Sequence, residues 1–227
     1  MDGMLVMKER LKALFTATVV GILAASTQGA VATETKKAEN HSHAGHNHGD
    51  ERVYKGYFDD AQVKDRSFGD YEGDWQSVFP FLKDGTLDVV MEAKAEKGDK
   101  TAAEYKDYYL KGYETDVDRV VLKDGKVDFH RGENVTSGNY VYDGYEILTY
   151  KKGNRGVRFI FKKNSGDDAA PAYLQFSDHK IAPEKTDHFH LYWGDDRKAL
   201  LEQLTNWPTY YPSNLSKAQI VEEMLAH

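Results

Sequence analysis

Three histidines lie close together in the stretch SDHKIAPEKTDHFHLYWGDD, residues 177–196. His188 and His190 alternate within HFH, and His179 lies nine residues before His188. In a β-strand, residues i and i+2 point to the same face, so His188 and His190 would lie about 6–7 Å apart, close enough to chelate one ion. Three neutral imidazoles with an open fourth position are a known zinc arrangement. The sequence therefore predicts a metal site at His179, His188 and His190. The alternative is a polar, solvent-facing pair on a strand, and spacing alone leaves both interpretations open.

The neighbouring residues and the composition narrow the chemistry of such a site. The chain contains no cysteine, so its stability must come from the core and any bound metal, and a soft-metal site must be built from imidazole and carboxylate. That combination suits zinc and its neighbours in the transition series. Metal-ligating histidines usually donate their second nitrogen to a carboxylate or a carbonyl, and Asp178, Glu184 and Asp187 are the carboxylates nearby in sequence.

A second group of histidines lies near the N-terminus, in HSHAGHNHGD. Its members are His41, His43, His46 and His48. The surrounding segment, residues 33–52, is polar and has no periodicity, which predicts a disordered arm. Four imidazoles on a mobile chain indicate a weak metal-collecting arm, with an expression tag as the alternative. His130 is predicted to be a strand-end residue, and His227 to belong to a flexible C-terminus.

The first 32 residues have the pattern of a secretory signal peptide. Lys8, Arg10 and Lys12 precede an apolar run, residues 13–26, and the small-residue triplet Ala30-Val31-Ala32 follows it. The alternative is a membrane anchor, but the run is too short to cross about 30 Å of hydrocarbon comfortably. We therefore expect cleavage and export, with no membrane attachment after cleavage.

The charge balance bears on the class of partner. The formal net charge is −7, and no basic stripe is visible along the sequence. This composition argues against a nucleic-acid partner and mildly favours the gathering of cations.

The hydrophobic and turn patterns predict a mainly β domain over residues 53–227. Three helices are expected first, within residues 67–85, 86–98 and 101–113, the last with a capping box at Thr101 and Glu104. Strands follow from residue 116, with turns at Asp124-Gly125, at Asp143-Gly144 and around residues 152–154. At least six strands joined by short hairpins predict an antiparallel meander. Closing this sheet into a barrel would remove its exposed edges. Two helices are expected to finish the chain.

Several motifs resemble one known family. They are DYEGDWQSVFPFL, KDYYLKGYETD, VDFHR, YDGYEILTYKKGNRGVRFIF, LQFSDHKIAPEKTDHFHLYWG and NWPTYYP. The motifs occur in the same order in the ZinT (YodA) family of bacterial periplasmic metal-binding proteins, which this chain resembles. The similarity extends from about Tyr57 to the C-terminus. Some members carry two cysteines where this chain has Gly138 and Lys163, so any stabilisation by a disulfide does not transfer.

The resemblance implies a fold, a ligand set and a partner. The fold implied is a calycin, or lipocalin-like, antiparallel β-barrel with added α-helices at both ends. The zinc ligands implied are His179, His188 and His190, and cadmium or other divalent ions are implied as further cargo. The function implied is zinc homeostasis, by buffering the metal or passing it to the periplasmic binding component of a zinc ABC transporter.

Two other functional classes remain open at the level of sequence. A zinc-dependent hydrolase would use water bound to three histidines as its nucleophile, but the chain has no H-E-x-x-H or similar motif to supply a general base. A carrier of an apolar ligand is the third class, since calycin barrels often hold a ligand in the mouth. The lining of the mouth would separate these classes, because a histidine cluster favours a metal and a wide aliphatic cavity favours a lipid or haem.

Overall fold

The computed structural model describes residues 48–226. The predicted signal peptide and His41, His43 and His46 of the predicted arm lie outside the described residues, as does His227. The helices are α1 His48–Tyr54, α2 Phe79–Lys83, α3 Asp88–Lys97, α4 Ala102–Tyr113, α5 Arg197–Glu202 and α6 Lys217–Ala226. The strands are β1 Gly73–Ser77, β2 Arg119–Lys123, β3 Lys126–Arg131, β4 Asn134–Thr149, β5 Arg155–Gly166, β6 Tyr173–Ser177, β7 Phe189–Gly194 and β8 Thr209–Pro212. Helix α1 begins at His48, so regular structure starts before residue 53, where the boundary between arm and domain was predicted.

The eight strands form one closed antiparallel barrel in the order β1 to β8. Closure comes from β8, which pairs with β7 on one side and with β1 on the other. The predicted lipocalin-like barrel with added helices is therefore confirmed. None of the helices within residues 48–226 is both long enough and apolar enough to span a bilayer.

The two strands that close the barrel are the ones that the sequence analysis missed. Strand β1 lies inside the segment predicted to be helical, because Phe68, Tyr71, Trp75 and Phe79 recur at spacings of three and four residues. Strand β8 has only four residues and was not predicted. Helices α2, α3 and α4 consequently lie between β1 and β2 instead of preceding the whole sheet.

The predicted hairpin at Asp124-Gly125 is confirmed, and the turn at Asp143-Gly144 is wrong. Asp124 and Gly125 both have positive φ, at 51° and 80°, as the two-residue turn between β2 and β3 requires. Strand β4 runs through Asp143 and Gly144 without turning. Between the pairs Tyr142–Phe161 and Tyr145–Phe159, β4 uses one residue more than β5, so the Asp-Gly pair forms a bulge.

Aromatic side chains fill the inside of the barrel. The largest of these buried rings belong to Tyr71, Trp75, Phe129, Phe159, Phe161, Phe176, Phe189 and Tyr210. Val157 and Phe159 of β5 join this core. Arg158 and Ile160, on the opposite face of β5, are buried as well. The outer wall of the barrel is therefore covered in this region.

A second core forms where the helices pack against the outside of the barrel. It includes Leu82 of α2, Val90 of α3, Tyr113 of α4, Ile220 of α6 and Tyr211 of β8. Strand β8 thus contributes to both cores, with Tyr210 inside the barrel and Tyr211 outside.

Replacing Gly112 by Ala should destabilise the fold. Gly112 lies in α4, where Ala is favoured over Gly by about 1 kcal/mol from helix propensity alone. An added Cβ would lie 2.4 Å from the ring of Trp207, and overpacking of this kind costs about 1–3 kcal/mol. We expect a net loss of unfolding free energy in urea titration. Gly69→Ala is the control, since its added Cβ meets only the Ser67 hydroxyl at 3.4 Å; equal stability of Gly112→Ala and wild type would contradict this packing.

Candidate metal centre

The three predicted histidines meet at one end of the β6–β7 connection. His179 lies two residues after β6, His188 immediately precedes β7, and His190 is the second residue of β7. Their ring centroids are separated by 5.9 Å for His179–His188, 6.0 Å for His179–His190 and 6.2 Å for His188–His190. The structure therefore brings all three together in a nearly equilateral triangle.

The cluster lies on the outer wall of the barrel. Phe189 and Leu191 of β7 point into the interior core, so His190 and Tyr192, which alternate with them, point outward. This is the division of faces that the sequence predicts for β7. The aromatic side chains that fill the barrel leave the histidine cluster outside it.

The tautomer of His190 is set by strand β8. The Nδ1 atom of His190 lies 2.8 Å from the hydroxyl oxygen of Thr209. That hydroxyl donates its own hydrogen to the backbone carbonyl of Trp207, at 2.9 Å. The Thr209 oxygen must therefore accept from His190, which places the proton on Nδ1 and the lone pair on Nε2. The lone pair is what a metal ion requires.

Helix α1 orients His179 in a similar way. The Nδ1 atom of His179 lies 3.3 Å from the backbone carbonyl of Tyr54, which can only accept, so this contact also favours the proton on Nδ1. The Tyr54 ring stacks on the imidazole with centroids 4.4 Å apart. His179 is exposed and adopts a left-handed backbone, φ 66°, a conformation in which His is several-fold enriched among non-glycine residues.

His188 is the most buried of the three histidines. Its side chain is held against Tyr211 of β8, with ring centroids 5.0 Å apart and planes within 8° of parallel. Its backbone carbonyl accepts from the Thr186 hydroxyl at 2.6 Å. Strand β8 therefore orients two of the three imidazoles, through Thr209 and Tyr211.

A buried ion pair fixes the loop that carries the histidines. Arg66 Nη1 donates to Asp178 Oδ1 at 2.6 Å, and both side chains are fully buried. Arg66 Nη2 donates to the backbone carbonyl of Glu184 at 2.7 Å, so one guanidinium holds both ends of residues 178–184. The loop is also bonded to the same N-terminal segment through Lys64 N to Ile181 O, at 2.9 Å.

The carboxylates predicted to support the histidines serve this loop. Asp178 accepts from Arg66, while Glu184 and Asp187 both pair with Lys180, at 2.8 and 2.9 Å. The acceptors observed for His179 and His190 are a carbonyl and a hydroxyl instead. Sequence reasoning missed Tyr54 and Thr209 because both lie far from the histidines along the chain.

Burial changes the acid–base behaviour of His190. Desolvation lowers its pKa to about 3, and the neighbouring positive charges at His179 and Arg158 act in the same direction. The ring is therefore neutral throughout the physiological pH range. A metal ion reaching Nε2 of His190 displaces no proton there.

A cavity of about 520 Å³ opens beside the cluster. His179 and His190 line it, together with Tyr54 from α1 and Trp207 from the segment before β8. Its charged side chains within the described residues are all cationic: Lys55, Arg155, Arg158 and Lys180. The cavity therefore presents imidazole and positive charge.

The spacing of the rings fits one metal ion after a small closure. With centroids about 6.0 Å apart, the centre of the triangle lies about 3.5 Å from each centroid, and a ring nitrogen is roughly 1 Å nearer. This is within a few tenths of an ångström of the ~2.0–2.1 Å typical of Zn–N bonds. In residues 48–226 no three ligating groups already stand at the spacing of a closed metal site, so binding must draw the rings together.

A closed eight-stranded barrel with converging imidazoles on its wall is the architecture of a lipocalin-like metal-binding protein. The comparisons with known proteins specify the family. The model of the ZinT (YodA) family, described as periplasmic, lipocalin-like and zinc-recruiting, matches residues 49–227. The chain belongs to this family.

Individual relatives agree with this assignment. The probable metal-binding protein YrpE of Bacillus subtilis is 58% identical over 178 residues, which cover 78% of this chain and 71% of YrpE. The zinc-binding lipoprotein AdcA of Streptococcus pneumoniae is 48% identical over 224 residues, or 98% of this chain but only 41% of AdcA. The crystal structure of the Zn(II)-bound ZinT-like domain of S. pneumoniae AdcA superposes with a TM-score of 0.74 at 52% identity, covering 76% of this chain and 97% of that domain. This chain therefore spans less than half the length of AdcA.

Breaking the Arg66–Asp178 pair should be far more costly than removing both partners. Arg66→Met leaves the Asp178 carboxylate buried without its cation, which costs about 3–5 kcal/mol of unfolding free energy. The double variant Arg66→Met, Asp178→Asn should recover much of this loss, giving a coupling energy of about 2 kcal/mol or more in urea titrations.

The exposed pair of Lys55 with Glu51 is the matched control, with side chains 61% and 54% exposed. Lys55→Met should cost less than about 1 kcal/mol. Additive losses from the two single substitutions at Arg66 and Asp178 would show that the pair does not anchor the loop.

Replacing His190 by Gln should change the pH dependence of stability of the metal-free protein. The pKa of His190 is about 3 when folded and about 6.5 when unfolded, so the unfolded state takes up the proton first as pH falls. Wild type should therefore lose stability relative to His190→Gln as pH falls below about 6.5, with a slope approaching 1.4 kcal/mol per pH unit. Urea unfolding in the presence of a chelator, at about pH 7, 6 and 5, measures this difference. A difference that stays constant across the series would contradict a buried, neutral His190.

Proposed function

We propose that this protein binds Zn²⁺ through His179, His188 and His190 and serves zinc homeostasis by buffering the metal or delivering it to an uptake system. The convergence of the three rings is the observation that carries the proposal, with His179 and His190 both directing Nε2 lone pairs away from their Nδ1 acceptors. Membership of a zinc-recruitment family and the Zn(II)-bound ZinT-like domain of AdcA support the choice of zinc.

The ligand set extends to other divalent transition metals. Three imidazoles follow the Irving–Williams order, so affinity alone does not single out zinc, and cadmium is included among the cations that this site would take. The metal bound in the cell is then decided by availability.

The location and partner follow from the N-terminal sequence and the relatives. The signal-peptide pattern of residues 1–32 and the family's periplasmic description support export of this chain. AdcA is named as a zinc-binding lipoprotein, and we propose that this chain likewise acts outside the cytoplasm, passing metal to the binding component of a zinc ABC transporter. His41, His43, His46 and His48 would add weaker metal equivalents beside the tight site.

The function proposed is binding and not catalysis. A hydrolase that used water on a His₃ metal would need a general base within reach of the substrate. The charged side chains lining the cavity in the described part of the chain are cations, which cannot play that part.

Removing any one of the three histidines should weaken zinc binding by at least about tenfold, because two imidazoles rarely hold zinc tightly. Isothermal titration of His179→Ala, His188→Ala and His190→Ala beside wild type measures this loss. His130→Ala, a histidine of β3, is the matched control and should bind as wild type does. Native affinity in His188→Ala would exclude the three-histidine site.

A further inference from the structure

Arg158 is a buried cation that the proposed zinc site does not use. It lies on the outward face of β5 and is 1% exposed. Its guanidinium lies over the Tyr192 ring, with the central carbon 3.1 Å from the ring centroid. It also lines the cavity beside His179 and His190.

Two of the three guanidinium nitrogens of Arg158 have no hydrogen-bond acceptor within the described residues. Nη2 donates to the carbonyl of Gln203 at 3.3 Å, but Nε and Nη1 meet no acceptor within residues 48–226. The Tyr150 hydroxyl also interacts with the guanidinium and acts to raise its pKa, but Nε and Nη1 remain without an acceptor. Buried donors left without acceptors are costly, and native structures seldom keep them without a reason.

The other cations of the cavity wall differ from Arg158 in having carboxylate partners. Lys55 pairs with Glu51, Arg155 with Asp60, and Lys180 with Glu184 and Asp187. Within the described residues, no carboxylate pairs with Arg158. A guanidinium stays protonated even when burial lowers its pKa, as it does here.

The sheet places Arg158 and His190 in one row. Phe159 pairs with Phe176, and the next residue of β6, Ser177, pairs with His190. Continuing this register, Arg158 lies opposite Ser177, and Ser177 lies opposite His190. All three residues therefore share the outward face of the sheet. Neighbouring strands are about 4.8 Å apart, so Arg158 and His190 lie about 10 Å apart across Ser177, and both line the cavity. The charge of Arg158 also acts on the His190 ring.

We infer that the cavity binds a small carboxylate, with one oxygen on the histidine-bound metal and the other accepting from the guanidinium of Arg158. This inference rests on the proposed zinc site. A divalent ion held by three neutral imidazoles keeps its full charge and an open fourth position. Placing it beside an unpaired guanidinium is unfavourable unless an anion lies between them. A carboxylate matches both partners, since one oxygen can bond zinc at about 2.0–2.2 Å while the other accepts a charge-assisted hydrogen bond from a guanidinium.

Cobalt-loaded protein offers a direct test. Co²⁺ held by three histidines absorbs visible light, and its spectrum changes when the fourth ligand changes. The full chain loaded with Co²⁺ is titrated with sodium acetate at constant ionic strength. Acetate should bind wild type at least about tenfold more tightly than Arg158→Met, because the variant keeps the metal contact and loses the charge-assisted pair. Arg158→Lys, which keeps the charge without the fork, should fall between them.

Lys55→Met is the matched control, since it removes one positive charge from the same cavity wall. It should change acetate affinity by less than about twofold, because Lys55 already has Glu51 as a partner. Equal acetate affinity in wild type and Arg158→Met, or an equal loss in Lys55→Met, would overturn the inference.

A comparison within wild type guards against a variant that does not fold. Chloride carries the same charge as acetate but cannot bridge two centres, so acetate should bind more tightly at equal ionic strength. Chloride binding as tight as acetate would also overturn the inference. Failure of wild type to give any histidine-bound cobalt spectrum would instead count against the proposed zinc site.

Discussion

The pairing of β8 with both β7 and β1 is the constraint on which the rest of the structure depends. It closes the barrel and places Tyr210 in the interior core. It also places Thr209 against His190 and Tyr211 against His188, so the same four residues that complete the sheet orient two imidazoles. The fold and the site therefore depend on the same strand, through its backbone pairing, one side-chain hydrogen bond and one ring stack.

Two buried arginines on this scaffold have opposite relations to charge. Arg66 forms an ion pair with Asp178 and lies over the rings of Tyr71 and Phe159, so its charge is balanced by a carboxylate of the same chain. Arg158 is buried to the same extent, yet no carboxylate within the described residues forms an ion pair with it. The first arginine stabilises the loop that carries His179, and the second gives the neighbouring cavity a preference for anions.

Much of this architecture could be predicted from the sequence, and the failures have physical causes. Strands β2 to β7 follow from alternation and turn residues, and the HFH spacing indicates the pair at the start of β7. The rings at residues 68, 71, 75 and 79 imitate a helical period, which concealed β1. Tyr54 and Thr209 act on the histidines through contacts that span 125 and 19 residues, and no local pattern encodes such contacts. No sequence pattern indicated a role for Arg158, because its burial depends on which residues cover the outer wall of the barrel.

If the protein delivers its metal as proposed, the unequal support of the three imidazoles has a kinetic consequence. His188 is buried against Tyr211 and His190 is bonded to Thr209, whereas His179 is exposed, on a left-handed loop residue, and contacts Tyr54 of α1 through a 3.3 Å hydrogen bond and a ring stack. An ion bound by all three would therefore leave by first detaching from His179, while the other two rings stay in place. The exchange rate is then governed by one ligand and the equilibrium affinity by all three. Tight capture and rapid hand-over are compatible in such a site, since a receiving protein needs to displace a single imidazole to begin the transfer.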